Sequence, residues 1–100
     1  INPIYVRDAV AAIQRSLELP GSHKINVGGP EVLTLREIGH CIGRCLGQAP
    51  KFAEQPAIEP RHLVGDIRKM SQILINPTID FETGIRLTLV AQEVYQEMRE

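Results

Sequence analysis

Ile4-Tyr5-Val6-Arg7-Asp8-Ala9-Val10 opens the stretch, running to Lys24-Ile25-Asn26-Val27-Gly28-Gly29-Pro30, from which the fold class is read. Ile4 to Val6 is a short β-prone run behind Pro3. Asp8 then stands where a helix N-cap belongs, its carboxylate able to accept from free N–H groups of a first turn. Val10, Ile13 and Leu17 recur at i, i+3 and i+7, sharing one helical face that leaves Arg15 and Glu18 off it. Pro20-Gly21 ends that helix. Lys24 to Val27 reads as a second strand, and Gly28-Gly29-Pro30 turns the chain sharply after it. A strand, an amphipathic helix and a strand with short connections make a β-α-β unit, which favours a right-handed crossover and parallel pairing. The expected fold class is therefore α/β, a small β-α-β-α unit followed by C-terminal helices.

The next helix announces itself at both ends. Thr34-Leu35-Arg36-Glu37 is a capping box, in which the Thr34 hydroxyl accepts the Glu37 N–H and the Glu37 carboxylate accepts the Thr34 N–H. Leu33 and Ile38 occupy the staple positions around it, and Ile38, Cys41, Ile42, Cys45 and Leu46 continue one apolar face to a left-handed stop at Gly47. Gly39, Gly43 and Gly47 recur every fourth residue, as they do where a helix lets a neighbouring element approach closely. From Gln48 to Pro60, three prolines and little periodicity predict a long extended loop of the kind that carries function. Leu63-Val64 reads as a brief strand. Asp66 is placed to cap a short helix with Ile67, Met70, Ile73 and Leu74 inward, and Asp80 to cap a final helix through Ile85, Leu89, Val94 and Met98.

The bulk composition excludes whole classes of function. With 100 residues, 43% hydrophobic and 23% charged, the chain fits one soluble globular domain or part of a larger one. Eleven Lys and Arg against twelve Asp and Glu leave no basic block to track a phosphate backbone, so no nucleic-acid partner is expected. No apolar run approaches the roughly 18 residues of a membrane span, and no charged n-region precedes an apolar h-region. A cytoplasmic protein with no membrane contact is the expectation. Cys41 and Cys45 point to one face of their helix, while His40 projects about 100° away, so they read as reduced core thiols and no metal site is expected.

Five segments in order resemble the NAD-dependent epimerase/dehydratases of the extended short-chain dehydrogenase/reductase family. Ile4-Tyr5-Val6-Arg7-Asp8-Ala9-Val10 resembles their strand-to-helix segment. Ile25-Asn26-Val27-Gly28-Gly29-Pro30 resembles their Asn-x-Gly turn, and Thr34-Leu35-Arg36-Glu37-Ile38 with Leu46-Gly47 the helix that follows. Gly65-Asp66-Ile67-Arg68-Lys69 resembles their Asp-x-x-Lys helix start, and Pro77 to Arg86 their closing Pro-x-x-x-x-x-x-Gly-Leu segment. The resemblance implies that residues 1–100 are a C-terminal substrate-binding subdomain. The sugar nucleotide would be bound against an N-terminal dinucleotide-binding Rossmann half, absent from this chain, that holds NAD or NADP.

The chemistry of the family needs parts this chain lacks. A Rossmann turn brings glycine backbone to a pyrophosphate at a helix N-terminus, but here Gly28-Gly29 precedes Pro30 and the next helix starts several residues later. The family's Tyr acid/base has a Lys four residues on, whose ammonium lowers the phenol pKa. Lys24, Lys51 and Lys69 are instead preceded at that spacing by Pro20, Gly47 and Gly65. No catalytic and no cofactor-binding residue is therefore expected in the chain, and the resemblance implies a chain inactive alone whose parent is an NAD(P)-dependent enzyme. The family's substrate arginines, whose guanidinium forks suit diphosphate oxygens, have Ile1 and Gln55-Pro56 at the nearest positions. Arg61 and His62, just downstream in the loop, are the candidate substrate-binding residues, and a solvated surface charge is the plain alternative for Arg61.

Two other readings stand beside the nucleotide-sugar one. The first is a piece of a reductase or dehydrogenase of the same superfamily acting on an uncharged ketone or alcohol, and the second a non-catalytic sensor that kept the fold. The resemblance also implies that Ile4 to Val6 and the helix from Ala9 to Leu19 lose partners here, so self-association, most simply as a two-fold homodimer, is expected. No loop offers convergent N–H groups to a pyrophosphate. Calorimetric titration of the chain with NAD and with NADP is accordingly expected to show no saturable micromolar binding, and such binding would overturn the placement of the cofactor elsewhere.

Overall fold

Four helices make up the regular structure in the computed structural model, which describes residues 1–56 and 58–99: α1 (Val6–Ser16), α2 (Leu35–Leu46), α3 (Arg68–Ile73) and α4 (Phe81–Arg99). The ends of α2 follow from its sequence. Thr34 Oγ1 accepts from the Glu37 N–H at 3.0 Å, the Glu37 carboxylate accepts from the Thr34 N–H at 3.2 Å, and Gly47 closes the helix at φ 68°. Asp80 caps α4 as expected, accepting from the Thr83 N–H at 2.7 Å. At α3 the cap falls one residue later than its sequence position implies. Ile67 occupies the N-cap, and Asp66 instead accepts the Arg68 N–H at 3.0 Å and grips the Arg68 guanidinium.

No strand forms among the described residues, which corrects the expected α/β unit to an all-helical chain. A strand exists only as one side of a ladder, and its backbone groups must face a partner. Val6 is drawn into α1, where the Ala9 N–H donates to the Tyr5 carbonyl at 3.1 Å. That commits backbone groups along the helix axis which a strand would offer sideways. The residues ahead of α1 take the pairing instead, by three separate bonds. Asn2 carbonyl accepts the Gly29 N–H at 2.9 Å, and Ile1 and Leu33 exchange bonds of 2.8 Å. Lys24 to Val27 and Leu63-Val64, both expected as strands, therefore run without a backbone partner among the described residues.

Asp8 is the second correction. Tyr5 takes the N-cap of α1 without a side-chain bond, because the helix begins before Asp8 is reached. The Asp8 carboxylate, 7% exposed, turns away from its own helix and accepts the N–H groups of Thr78 at 3.1 Å and Ile79 at 3.0 Å. Other long-range ties have the same character. Asn2 donates to the Gly65 carbonyl and accepts the Gly65 N–H, both at 2.9 Å, and Glu31 accepts the Phe81 N–H at 2.7 Å. Close backbone approach accompanies them: a Cβ on Gly29 would lie 1.7 Å from the Pro3 carbonyl oxygen, and one on Gly84 3.1 Å from the Tyr5 ring.

Apolar packing is thin by comparison. Ala12, Cys41 and Met70 are the buried hydrophobic residues, and α2 against α4 is the main helix–helix contact. The molecule is a slab of 47 × 45 × 19 Å, with a radius of gyration of 16.5 Å where a globular chain of this length has about 13 Å. Its 8048 Å² of accessible surface exceeds the about 5,700 Å² of a folded monomer of its size. The stripe expected to face a core on α1 is open, with Val10 46%, Ile13 60% and Leu17 82% exposed. Val94 and Met98 at the far end of α4 are exposed as well. No helix among the described residues is long and apolar enough to cross a membrane.

Asp8→Ala removes two charge-assisted bonds and leaves two N–H groups without their acceptor, so urea unfolding is expected to show a loss of about 3 kcal/mol with the slope unchanged. Gly29→Ala, whose Cβ meets backbone rather than a movable side chain, is expected to lower the melting temperature more than Ala at the solvent-facing Gln14.

Candidate functional site

The loop after α2 is fastened to that helix by one aromatic ring. Phe52 lies over Gly39, where an added Cβ would come within 2.7 Å of the ring, and one on Gly43 would meet the Gln48 carbonyl at 2.6 Å, so these two glycines serve close approach while Gly47 does not. His40 flanks it at 5.3 Å between centroids, and the Arg36 guanidinium sits 4.6 Å over its face while reaching Glu54 at 3.9 Å. Beyond this anchor the chain continues through Arg61 and His62, both exposed. Among the described residues neither makes a hydrogen bond or an ion pair, and neither lines the three clefts that follow.

An apolar cleft of about 220 Å³ lies between the segment before α1 and the start of α4, lined by Pro3, Tyr5, Ile79, Phe81, Gly84 and Ile85. It is smaller than the roughly 300 Å³ at which small-molecule pockets begin. A polar cleft of about 460 Å³ opens between α2 and α4, with Glu31, Glu37, His40, Cys41, Arg44 and Glu82 on its walls. The largest of the three, about 690 Å³, is formed by α3 and residues 23–26 and carries His23, Lys24, Asp66, Arg68 and Lys69. Lys24, Arg68 and Lys69 face one carboxylate there, Asp66, a local charge of +2 from these four groups. Lys69 Nζ donates to the Lys24 carbonyl at 3.2 Å, which holds the α3 ammonium against the segment bearing Lys24.

The charged groups of these clefts are tuned by their neighbours. Asp66 is held down to about 2, first by the side-chain bonds from Arg68 and then by the Arg68 N–H, and the same pairing raises Arg68. Asp80 is lowered by the Thr83 N–H at the start of α4. Burial pushes the Cys41 thiol up, Cys45 adds to this, and the Arg44 guanidinium opposes it. Arg44 itself reaches Glu82 Oε1 through Nη2 at 3.1 Å and Nε at 3.3 Å, and Cys41 Sγ lies 4.0 Å from the same oxygen. Cys45, also a free thiol, completes a group whose ligand atoms all lie within 4.8 Å of one another.

Sequence reasoning singled out Arg61 and His62 and missed the Lys24–Lys69 cleft, since these lysines are 45 residues apart and meet only through the fold. It likewise missed Glu82 beside the cysteines. In the comparisons with known proteins, no protein family, no curated protein and no solved structure matches the chain.

Because the folded pKa of Asp66 is depressed, its contribution to stability is present above the unfolded value of about 3.9 and is lost as pH falls toward 2. Carbon-detected NMR titration is expected to place the Asp66 midpoint near 2 and to return it toward the ordinary carboxylate range in Arg68→Met. An unmoved midpoint would show that Arg68 is not the cause.

Proposed function

We propose that the chain is the substrate-side piece of an NAD(P)-dependent epimerase/dehydratase, acting on a nucleotide sugar in the cytoplasm and inactive without the part that holds the dinucleotide. The observation that carries the ligand class is the α3 cleft, where Lys24, Arg68 and Lys69 offer an excess of positive charge to a diphosphate in a space large enough for a small molecule. Lys69 is the group best prepared for it, since its ammonium is already oriented by the Lys24 carbonyl and carries no carboxylate partner among the described residues.

Two of the segments that resemble the family also support the reading, because they hold each other: Asp8 binds the Thr78-Ile79 backbone and the Tyr5 ring packs on Gly84, while Arg44 and Lys24, which adjoin matched segments, meet Glu82 and Lys69. Segments that make these ties would be constrained together whatever their distance in sequence. These side-chain ties, and not a β-α-β unit, which does not form among the described residues, support the reading. The open stripe on α1 supports a partner surface, with a second copy the simplest occupant for the isolated chain.

Calorimetric titration with a uridine diphosphate sugar tests the ligand class. Saturable binding that weakens with added salt is expected, and Lys69→Ala is expected to weaken it about tenfold, or ~1.4 kcal/mol. No binding, or affinity indifferent to Lys69→Ala, would overturn the reading. Light scattering across a concentration series is expected to show self-association that Leu17→Glu suppresses, whereas a chain that stays monomeric at high micromolar concentration would remove the dimer.

A further inference from the structure

Cys41 and Cys45 stand four residues apart on α2, so their side chains share a face. Glu82, in the first turn of α4, comes to that face from a different helix. Two thiols and a carboxylate with ligand atoms all within 4.8 Å of one another are more than packing requires, since a buried cysteine needs only apolar neighbours.

We propose that Cys41, Cys45 and Glu82 bind a thiophilic divalent cation, Zn²⁺ by class, at the seam between α2 and α4. In a tetrahedral zinc site with bonds of about 2.3 Å to sulfur and 2.0–2.2 Å to oxygen, neighbouring ligand atoms lie roughly 3.5–3.8 Å apart. Cys41 Sγ and Glu82 Oε1 are at 4.0 Å and all three ligand atoms lie within 4.8 Å of one another, so closure asks the side chains to draw together by about 1 Å at most. Two thiolates and one carboxylate carry three negative charges against the two of the cation, and the guanidiniums of Arg44, 3.1 Å from Glu82, and Arg86, 4.0 Å from it, offset the excess.

Arg44 then has a definite part. A ligating carboxylate is oriented by the group bonded to it, and the guanidinium on Glu82 can fill that role from outside the coordination sphere. The thiolate pair selects a soft cation over Mg²⁺ or Ca²⁺, which take oxygen donors. Three protein ligands leave a fourth position for water, and Cys41 and Glu82 both border the polar cleft from which water reaches it. Binding releases the two thiol protons to solvent, so the cation ties two helices together without any redox step.

Cobalt(II) titration of the full chain, kept reduced with a phosphine, reads the site directly. A thiolate-to-cobalt charge-transfer band with tetrahedral ligand-field bands is expected to saturate at one equivalent, to vanish on addition of Zn²⁺ and to ignore Mg²⁺. Cys45→Ser is expected to remove roughly half of the charge-transfer intensity, one thiolate of two, with affinity falling at least tenfold. Glu82→Gln, which keeps shape at a partly exposed position, is expected to retain the charge-transfer band while weakening binding about tenfold or more. This variant decides the matter if circular dichroism shows that Cys45→Ser has lost its helices. Absence of the charge-transfer band in the parent chain, or cobalt affinity unchanged in Glu82→Gln, overturns the site.

Discussion

The Asp8 carboxylate, buried and accepting the Thr78 and Ile79 N–H groups, is the constraint on which the rest of the structure depends. It joins the first turn of α1 to the backbone that enters α4, seventy residues on. A buried carboxylate without such donors would be costly, and buried N–H groups without an acceptor equally so, so each makes the other tolerable. With that joint closed, Tyr5 is brought onto Gly84, and Glu31 meets the first N–H of α4. Asn2 repeats the device at Gly65, where one side-chain amide replaces a pair of sheet bonds.

A chain held in this way differs from one held by a core. Side-chain-to-backbone bonds are directional and fix where segments sit, but they bury little apolar area, and area is what supplies most of the stability of ordinary domains. The slab shape, the open stripe of α1 and the uncovered end of α4 are the same fact seen from outside. Helix α2 is the exception, because its caps satisfy its termini and its apolar face meets α4, so it has both local and tertiary support.

Charge is distributed on the slab in two distinct places. At α3 the cations outnumber the carboxylates, and Asp66 is consumed by Arg68, which leaves Lys24 and Lys69 to face the cleft. At the α2–α4 seam thiols and acidic side chains gather, with Glu82 paired to the guanidiniums of Arg44 and Arg86. The first suits an anion and the second a soft cation, and neither arrangement is visible in a net charge of −1.

What the sequence by itself determined is local. The capping box at Thr34, the left-handed stop at Gly47, the cap at Asp80 and the inward set of α3 each involve residues within a few positions of one another, and short-range hydrogen bonding and periodicity suffice to read them. The β-prone runs at Ile4 and Lys24 were legible as propensity only. Whether a run becomes a strand is settled by a partner across the ladder, and here Val6 entered a helix while Asn2 took the backbone bond. Asp8 reads locally as the cap of its own helix, which it does not cap, because the N–H groups it accepts, those of Thr78 and Ile79, lie beyond any local window. The same holds for Glu82 beside the cysteines and Lys69 beside Lys24: the tertiary structure alone decided these meetings, since chemistry between distant residues depends on distance in space, which no spacing in sequence encodes.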